Sequence, residues 1–292
     1  METTTVDVSS PHGGVVRAFD TGAPPPGAPV VVWHGGSPHT GEPLEPLVAA
    51  ARARGIRLVT FARPGYGGST ARPGRDVASV AGDVDAIADA LGLDRFAVMG
   101  YSGGGPHALA CAALLPDRVT AVAVLASPAP FGGDEWYVGM HDPGALRAAA
   151  VSRAERLRYA ETDEFDPAQF IDSDFAALGG EWGAVGRDAG RAESAGPGGL
   201  VDDDVAFTRD WGFDPAEVRV PTLLVQGELD RVIPRPHAVR LVAGLRGARL
   251  WMRLDDGHVA VLGVVPEVLD WLVERSDGSP GPGSAGRGRS DG

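Results

Sequence analysis

Along this chain, short apolar runs alternate with stretches in which apolar residues recur at helical spacing. The runs at 15–18, 30–33, 56–61, 95–99, 119–125, 222–225 and 248–252 are rich in Val, Leu and Ala and end in Gly-, Pro- or Asp-bearing turns. Unbroken apolar runs of this length predict strands buried on both faces. Between them, 43–54, 77–91, 106–115 and 261–273 read as helices, and Val80, Val84, Ile87 and Leu91 lie on one helical face directed at the core. Such alternation predicts a mainly parallel sheet covered by helices on both sides. The run at 15–18 and its neighbours open the sheet as edge strands, with a turn at Pro24-Pro25-Pro26-Gly27. From about 131 to 208 strand signals vanish. Helical pieces such as 145–160 alternate there with Asp/Gly-rich connections, and 190–199, poor in apolar side chains, reads as a hinge or an exposed loop. The predicted organisation is an α/β core made of 1–130 and 209–275, a helical insertion at 131–208, and a tail at 276–292. The tail, rich in Ser, Gly and Pro, cannot bury enough apolar surface to offset its ordering entropy and is expected to be disordered.

The candidate chemistry sits at the ends of the predicted strands. Gly100-Tyr101-Ser102-Gly103-Gly104 follows the run at 95–99 and precedes a helix, the strand–turn–helix context of a nucleophile elbow. In a chain with 42 glycines a bare G-x-S-x-G arises by chance roughly 0.3 times, so the pattern gains its weight from its companions. One is His34-Gly35-Gly36-Ser37 after the strand at 30–33, a turn able to aim a backbone N–H at an oxyanion alongside the N–H of Gly103. Gly36 and Ser37 are both candidates for that amide. Asp230, in the polar turn after the run at 222–225, can orient a histidine, and His258, in the Gly-His turn after the last strand, can serve as general base. His34, Tyr101, Trp136 and Trp182 are candidate substrate-binding residues. The aromatics of the insertion region (Phe131, Trp136, Tyr137, Phe165, Phe175, Trp182, Trp211) either line an acyl pocket or hold the insertion together.

The order Ser102…Asp230…His258 is that of an α/β-hydrolase, and from about Val15 to Val273 the chain resembles the capped, bacterial esterase/lipase-like members of that fold family. Arg63-Pro64-Gly65-Tyr66-Gly67-Gly68-Ser69 is similar to the family's Gly-rich loop after the fourth strand. The resemblance implies Ser102 as nucleophile, His258 as base, Asp230 as acid, Gly36 and Gly103 amides as oxyanion hole, and 131–208 as a lid. It implies hydrolysis of a carboxylic ester or lactone through an acyl-enzyme, with no cofactor. Dehalogenases and epoxide hydrolases of this fold need Asp where Ser102 stands. Carbon–carbon bond hydrolases and cofactor-free perhydrolases use serine but commonly carry Ser-Met-Gly at the elbow. Proline iminopeptidases usually have Trp after the nucleophile and a His-Gly-Gly-Pro-Gly loop. A natural-product tailoring enzyme or a ligand-binding protein on the same fold are further alternatives.

Composition narrows the partners. The formal charge of −13 argues against nucleic acid and anionic membrane surfaces, leaving a small-molecule substrate. The single cysteine, Cys111, excludes an internal disulfide and suits core packing. The seven histidines show no metal-ligand spacing, and no P-loop is present. A basic, apolar leader and a membrane-length apolar run are both missing from the pattern, so a cytoplasmic enzyme is expected.

Overall fold

The structure, a computed structural model, describes residues 3–22 and 27–276. The Pro24–Pro26 turn and the tail from 277 onward lie outside the described residues. In chain order the elements are β1 (Thr4–Ser9), β2 (Val15–Asp20), β3 (Val30–His34), α1 (Glu45–Ala53), β4 (Arg57–Phe61), α2 (Val80–Leu91), β5 (Phe96–Tyr101), α3 (Gly104–Leu114) and β6 (Val119–Leu125). There follow α4 (Gly144–Val151), α5 (Arg153–Ala160), α6 (Asp172–Gly179), α7 (Gly183–Ser194) and α8 (Gly198–Phe207). The chain then returns to β7 (Thr222–Gly227), α9 (Pro236–Gly244), β8 (Arg249–Arg253) and α10 (Val265–Ser276).

The strands form one sheet of order β1-β2-β4-β3-β5-β6-β7-β8. Only the β1–β2 and β2–β4 pairings are antiparallel; from β4 to β8 every pair is parallel. Parallel neighbours need crossovers, and the helices of those crossovers cover both faces. Val98 and Val122 face one apolar layer with Val84, Ile87 and Leu109 of α2 and α3. Ala97, Met99 and Ala123 face the other, with Leu47 of α1 and Val268, Leu269 and Leu272 of α10. This double cover is why β5 and β6 are buried at every position instead of alternating.

Helices α4–α8 all lie between β6 and β7, and among the described residues that stretch contributes no strand. Two local expectations are corrected there. The single helix expected at 145–160 is two, because Ser152 adopts an extended conformation and its Oγ accepts the N–H of Glu155, capping α5. The hinge or loop expected at 190–199 is helical through Ser194, since α7 buries Asp188 and Ala192 on its inner side.

Besides His258, the histidines His34, His39, His107 and His237 are buried. Burial holds each imidazole below its usual range, to about 4 for His107 and His237. The unfolded chain therefore binds protons that the folded one excludes between about pH 6.5 and 4. Stability present above that window is lost as the pH falls through it, by about 2 kcal/mol at pH 5 for each of His107 and His237. Asp204, pushed up to about 6 by burial, acts in the opposite sense, but as one group against four. Thermal melts are expected to give a Tm several degrees lower at pH 5 than at pH 7; a flat or rising Tm contradicts neutral burial of these rings.

Candidate active site

The parallel strands deliver their C-terminal ends to one edge of the sheet, where open α/β sheets form crevices. At the end of β5 the chain reverses into α3 through Ser102, whose φ of 50° is a left-handed conformation rarely held by a side-chain-bearing residue. The turn is held by the Ser102 N–H donating to Leu125 O (2.8 Å) and by the Gly105 N–H donating to Ser102 O (2.9 Å). Both flanking glycines have a packing reason. A Cβ on Gly100 would meet Gly104 O at 2.6 Å, and one on Gly104 would collide with the backbone oxygens of His34 and Gly35. The strand, the helix and the His34–Gly36 turn can approach so closely only without those methyl groups.

Ser102 does not stand alone. In the tautomer selected by the neighbouring carboxylate, His258 Nδ1–H donates to Asp230 Oδ2 (2.8 Å), and His258 Nε2 accepts from Ser102 Oγ (2.9 Å). Asp230 and His258 are buried. The second carboxylate oxygen of Asp230 accepts the N–H groups of Val232 and Ile233, both at 2.8 Å, which fixes the carboxylate plane. Tyr101 packs its ring near His258 (centroids 5.3 Å apart) and stacks on Trp33 (6.4 Å). Burial, and the Asp230 and Asp174 charges, push the Tyr101 phenol well above its usual range, so it stays neutral beside the imidazole. A hydroxyl, an imidazole and a carboxylate in one hydrogen-bonded line can move a proton off the hydroxyl as it attacks a carbon.

Gly36 and Gly103 flank this hydroxyl. A Cβ on Gly36 would lie 3.4 Å from Ser102 Cβ, and one on Gly103 would strike Ser37. Ser37 instead turns its Oγ to Asp203, donating to Oδ2 at 2.6 Å. Ser102 and His258 open onto a cavity of about 490 Å³. Its apolar walls include Phe61, Phe165, Phe170, Leu178 and Val185, and its polar lining includes His39, Glu42, Asp188 and Glu193.

Of the four candidate substrate-binding residues, Tyr101 lines this cavity and the other three do not. His34 is wholly buried under the sheet end, edge-on to Phe61 and 3.8 Å from Cys111 Sγ. Trp136 spends its indole N–H on Ala129 O (2.7 Å) and packs against Tyr137 and His237. Trp182 is absorbed into the apolar layer below α7. Phe170, Leu178 and Val185 carry no sequence signal as cavity residues, because nothing in local spacing shows which side of α6, of α7 or of the segment before them faces inward. Asp203 and Asp174 also stand outside the sequence expectations. A signal existed for the first: three consecutive aspartates, Asp202–Asp204, interrupt the apolar helix α8, and all three are buried with arginine partners.

Among the described residues no group of three or more His, Cys, Asp or Glu side chains is arranged to hold a metal, and no helix is long and apolar enough to cross a membrane.

The architecture, with its strand-end serine and histidine, is that of an enzyme class, and comparison with known proteins identifies it. Residues 28–263 match the family model for the alpha/beta hydrolase fold, and the chain belongs to that family. It is a hydrolase by that membership and by its relatives. A 2-hydroxy-6-oxo-6-phenylhexa-2,4-dienoate hydrolase of Comamonas testosteroni is 27% identical over 248 residues, covering 80% of this chain and 82% of that protein. Among the solved structures that share the fold are an enol-lactonase and an esterase. An enol-lactonase from Burkholderia xenovorans has a TM-score of 0.69 at 22% identity, covering 92% of this chain and 100% of that one. A thermophilic esterase from Thermogutta terrifontis has a TM-score of 0.69 at 21% identity, covering 94% and 99%.

Proposed function

We propose that this hydrolase cleaves a carboxylic ester or lactone through an acyl-enzyme on Ser102, with His258 as base, Asp230 as its orienting acid, and helices α4–α8 as a cap over the acyl pocket. The observation that carries the reading is the hydrogen-bonded line Ser102–His258–Asp230, at 2.9 and 2.8 Å, opening on a largely apolar cavity. Ser102 Oγ attacks the carbonyl carbon as its proton passes to His258 Nε2. The carbonyl oxygen becomes an oxyanion held by the amides of Gly36 and Gly103, each donor being worth about 3 kcal/mol of barrier. The imidazolium, stabilised by Asp230, returns the proton to the leaving alkoxide, and the alcohol departs. Water then repeats the cycle on the acyl-enzyme.

Carbon–carbon bond hydrolysis is the second reading, favoured by the dienoate hydrolase among the relatives. The charge of the pocket speaks against it. Glu42, Asp188 and Glu193 line the cavity, and none of the described lining residues is lysine or arginine. Arg191, outside the lining, pairs with Glu42 (3.0 Å) and Asp188 (2.8 Å), which offsets one of the three negative charges and leaves the wall facing a ligand net negative. A dienoate brings a carboxylate that such a pocket would repel, whereas a neutral ester meets no penalty. The test is a p-nitrophenyl ester series from acetate to decanoate run beside 2-hydroxy-6-oxo-6-phenylhexa-2,4-dienoate. Each buried methylene contributes about 0.8 kcal/mol, so kcat/KM is expected to rise roughly fourfold per methylene until the cavity is full. Turnover of the dienoate with none of the esters would replace the ester reading by the second.

A further inference from the structure

Behind the Gly35–Ser37 turn lies a charge cluster that the catalytic line does not use. Arg63, just after β4, is wholly buried. Its Nη1 donates to Gly35 O (2.6 Å), and its Nη2 to Gly36 O (2.7 Å) and Ser37 Oγ (2.9 Å). The same Nη2 reaches Asp203 Oδ2 at 2.6 Å. Asp203 comes from α8, 140 residues further along the chain, and is itself fully buried. It also accepts from Ser37 Oγ (2.6 Å), Tyr66 OH (3.0 Å) and Arg75 Nη2 (2.5 Å). Burial alone would raise its pKa, but the two guanidiniums hold the carboxyl well below the usual range, so it is ionised.

A peptide unit is planar, and its C=O and the following N–H point in opposite directions. Fixing the Gly35 oxygen on Arg63 therefore fixes where the Gly36 N–H points. Two consecutive glycines leave that turn little intrinsic preference of its own. Gly36 abuts Ser102, a Cβ on it lying 3.4 Å from Ser102 Cβ, so the N–H opposite the clamped Gly35 oxygen belongs to a peptide placed beside the attacking hydroxyl.

We infer that Arg63, clamped by Asp203 from the helical insertion, is a positioning residue that aims the Gly36 amide into the oxyanion hole. The inference rests on the serine-hydrolase reading. It makes docking of α8 a condition for a formed hole: the insertion supplies part of the machinery as well as a cover.

The principal variant is Arg63→Lys, which keeps a cation opposite Asp203 but loses the planar fork that spans two carbonyls, a hydroxyl and a carboxylate. On a p-nitrophenyl ester its kcat is expected to fall about 30- to 300-fold with KM within about threefold, as for a misplaced oxyanion donor. The specific readout is inhibition by an alkyl trifluoromethyl ketone. Ser102 Oγ adds to its carbonyl carbon, the serine proton goes to His258, and the ketone oxygen becomes an oxyanion in the hole. Its affinity should fall in parallel with kcat/KM, which a general loss of stability would not produce. Ser37→Ala, a smaller truncation that leaves the ion cluster intact, serves if the lysine variant does not fold; about a fivefold loss of kcat at unchanged KM is expected. Folded variants with wild-type kcat and ketone affinity overturn the inference and leave the serine-hydrolase reading standing. A wild-type enzyme inert toward esters, with Ser102 unlabelled by a fluorophosphonate, overturns that reading and the inference with it.

Discussion

Ser102→Ala is expected to lower kcat on the best p-nitrophenyl ester by about 10⁵- to 10⁶-fold, because it removes the atom proposed to attack while His258 and Asp230 remain in place. Losing a single oxyanion donor would cost only about 10²- to 10³-fold, so the size of the effect separates a nucleophile from a supporting group. The substitution should leave Tm nearly unchanged. Ser102 holds its turn through backbone hydrogen bonds to Leu125 and Gly105, which alanine keeps, and alanine meets the same φ of 50° at similar cost. Among the described residues the hydroxyl's side-chain partner is His258 Nε2, a hydrogen bond worth about 1 kcal/mol. Purified, folded Ser102→Ala that retains more than about 1% of wild-type kcat would sink the acyl-enzyme mechanism.

The parts of the site that are legible in the sequence are those whose geometry is local. Gly100 and Gly104 announce a tight strand-to-helix turn because the clashes they avoid are with the turn itself and with the neighbouring strand end. Asp230 and His258 are legible for a similar reason: each lies in the turn that follows a strand, and parallel strands bring all such turns to one edge. The sheet is legible because β5 and β6 are uninterrupted apolar runs. What is set by packing between distant segments is not legible. Trp136 and Trp182 are large aromatics in the expected region, yet their rings are committed to the interior by contacts no spacing rule contains. Phe170 lines the cavity and packs against Phe165 and Phe175 (centroids 5.7 and 6.1 Å), contacts set by how the segments of the insertion meet. Arg63 resembles an ordinary turn arginine until Asp203 arrives from α8. Asp174 of α6 does the same on the other side, accepting the N–H groups of Val259 (2.7 Å) and Ala260 (2.9 Å) just after His258. The break at Ser152 was legible in principle, since Ser152-Arg153-Ala154-Glu155 is a helix-start pattern inside a longer helical run.

Asp230→Asn should cost about 10⁴-fold in kcat, although it changes neither the shape of the residue nor the fold around it. The reason lies in how the carboxylate is already used. One oxygen accepts two backbone N–H groups, from Val232 and Ile233, and the other faces His258 Nδ1. An asparagine must give its carbonyl oxygen to the two backbone donors, since its NH₂ there would face both of them. Its NH₂ group is thereby turned toward His258 and can only donate. His258 Nδ1 then has to accept, which moves the ring proton to Nε2, the nitrogen that faces Ser102 Oγ at 2.9 Å. The ring now donates where it must accept, and the serine keeps its proton. The backbone bonds that hold the turn survive, so Tm should stay close to wild type while kcat collapses and KM changes little. A variant within tenfold of wild-type kcat would mean that Asp230 does not set the tautomer of His258, and the base would then have to be sought elsewhere on the cavity wall, where His39 is the other imidazole.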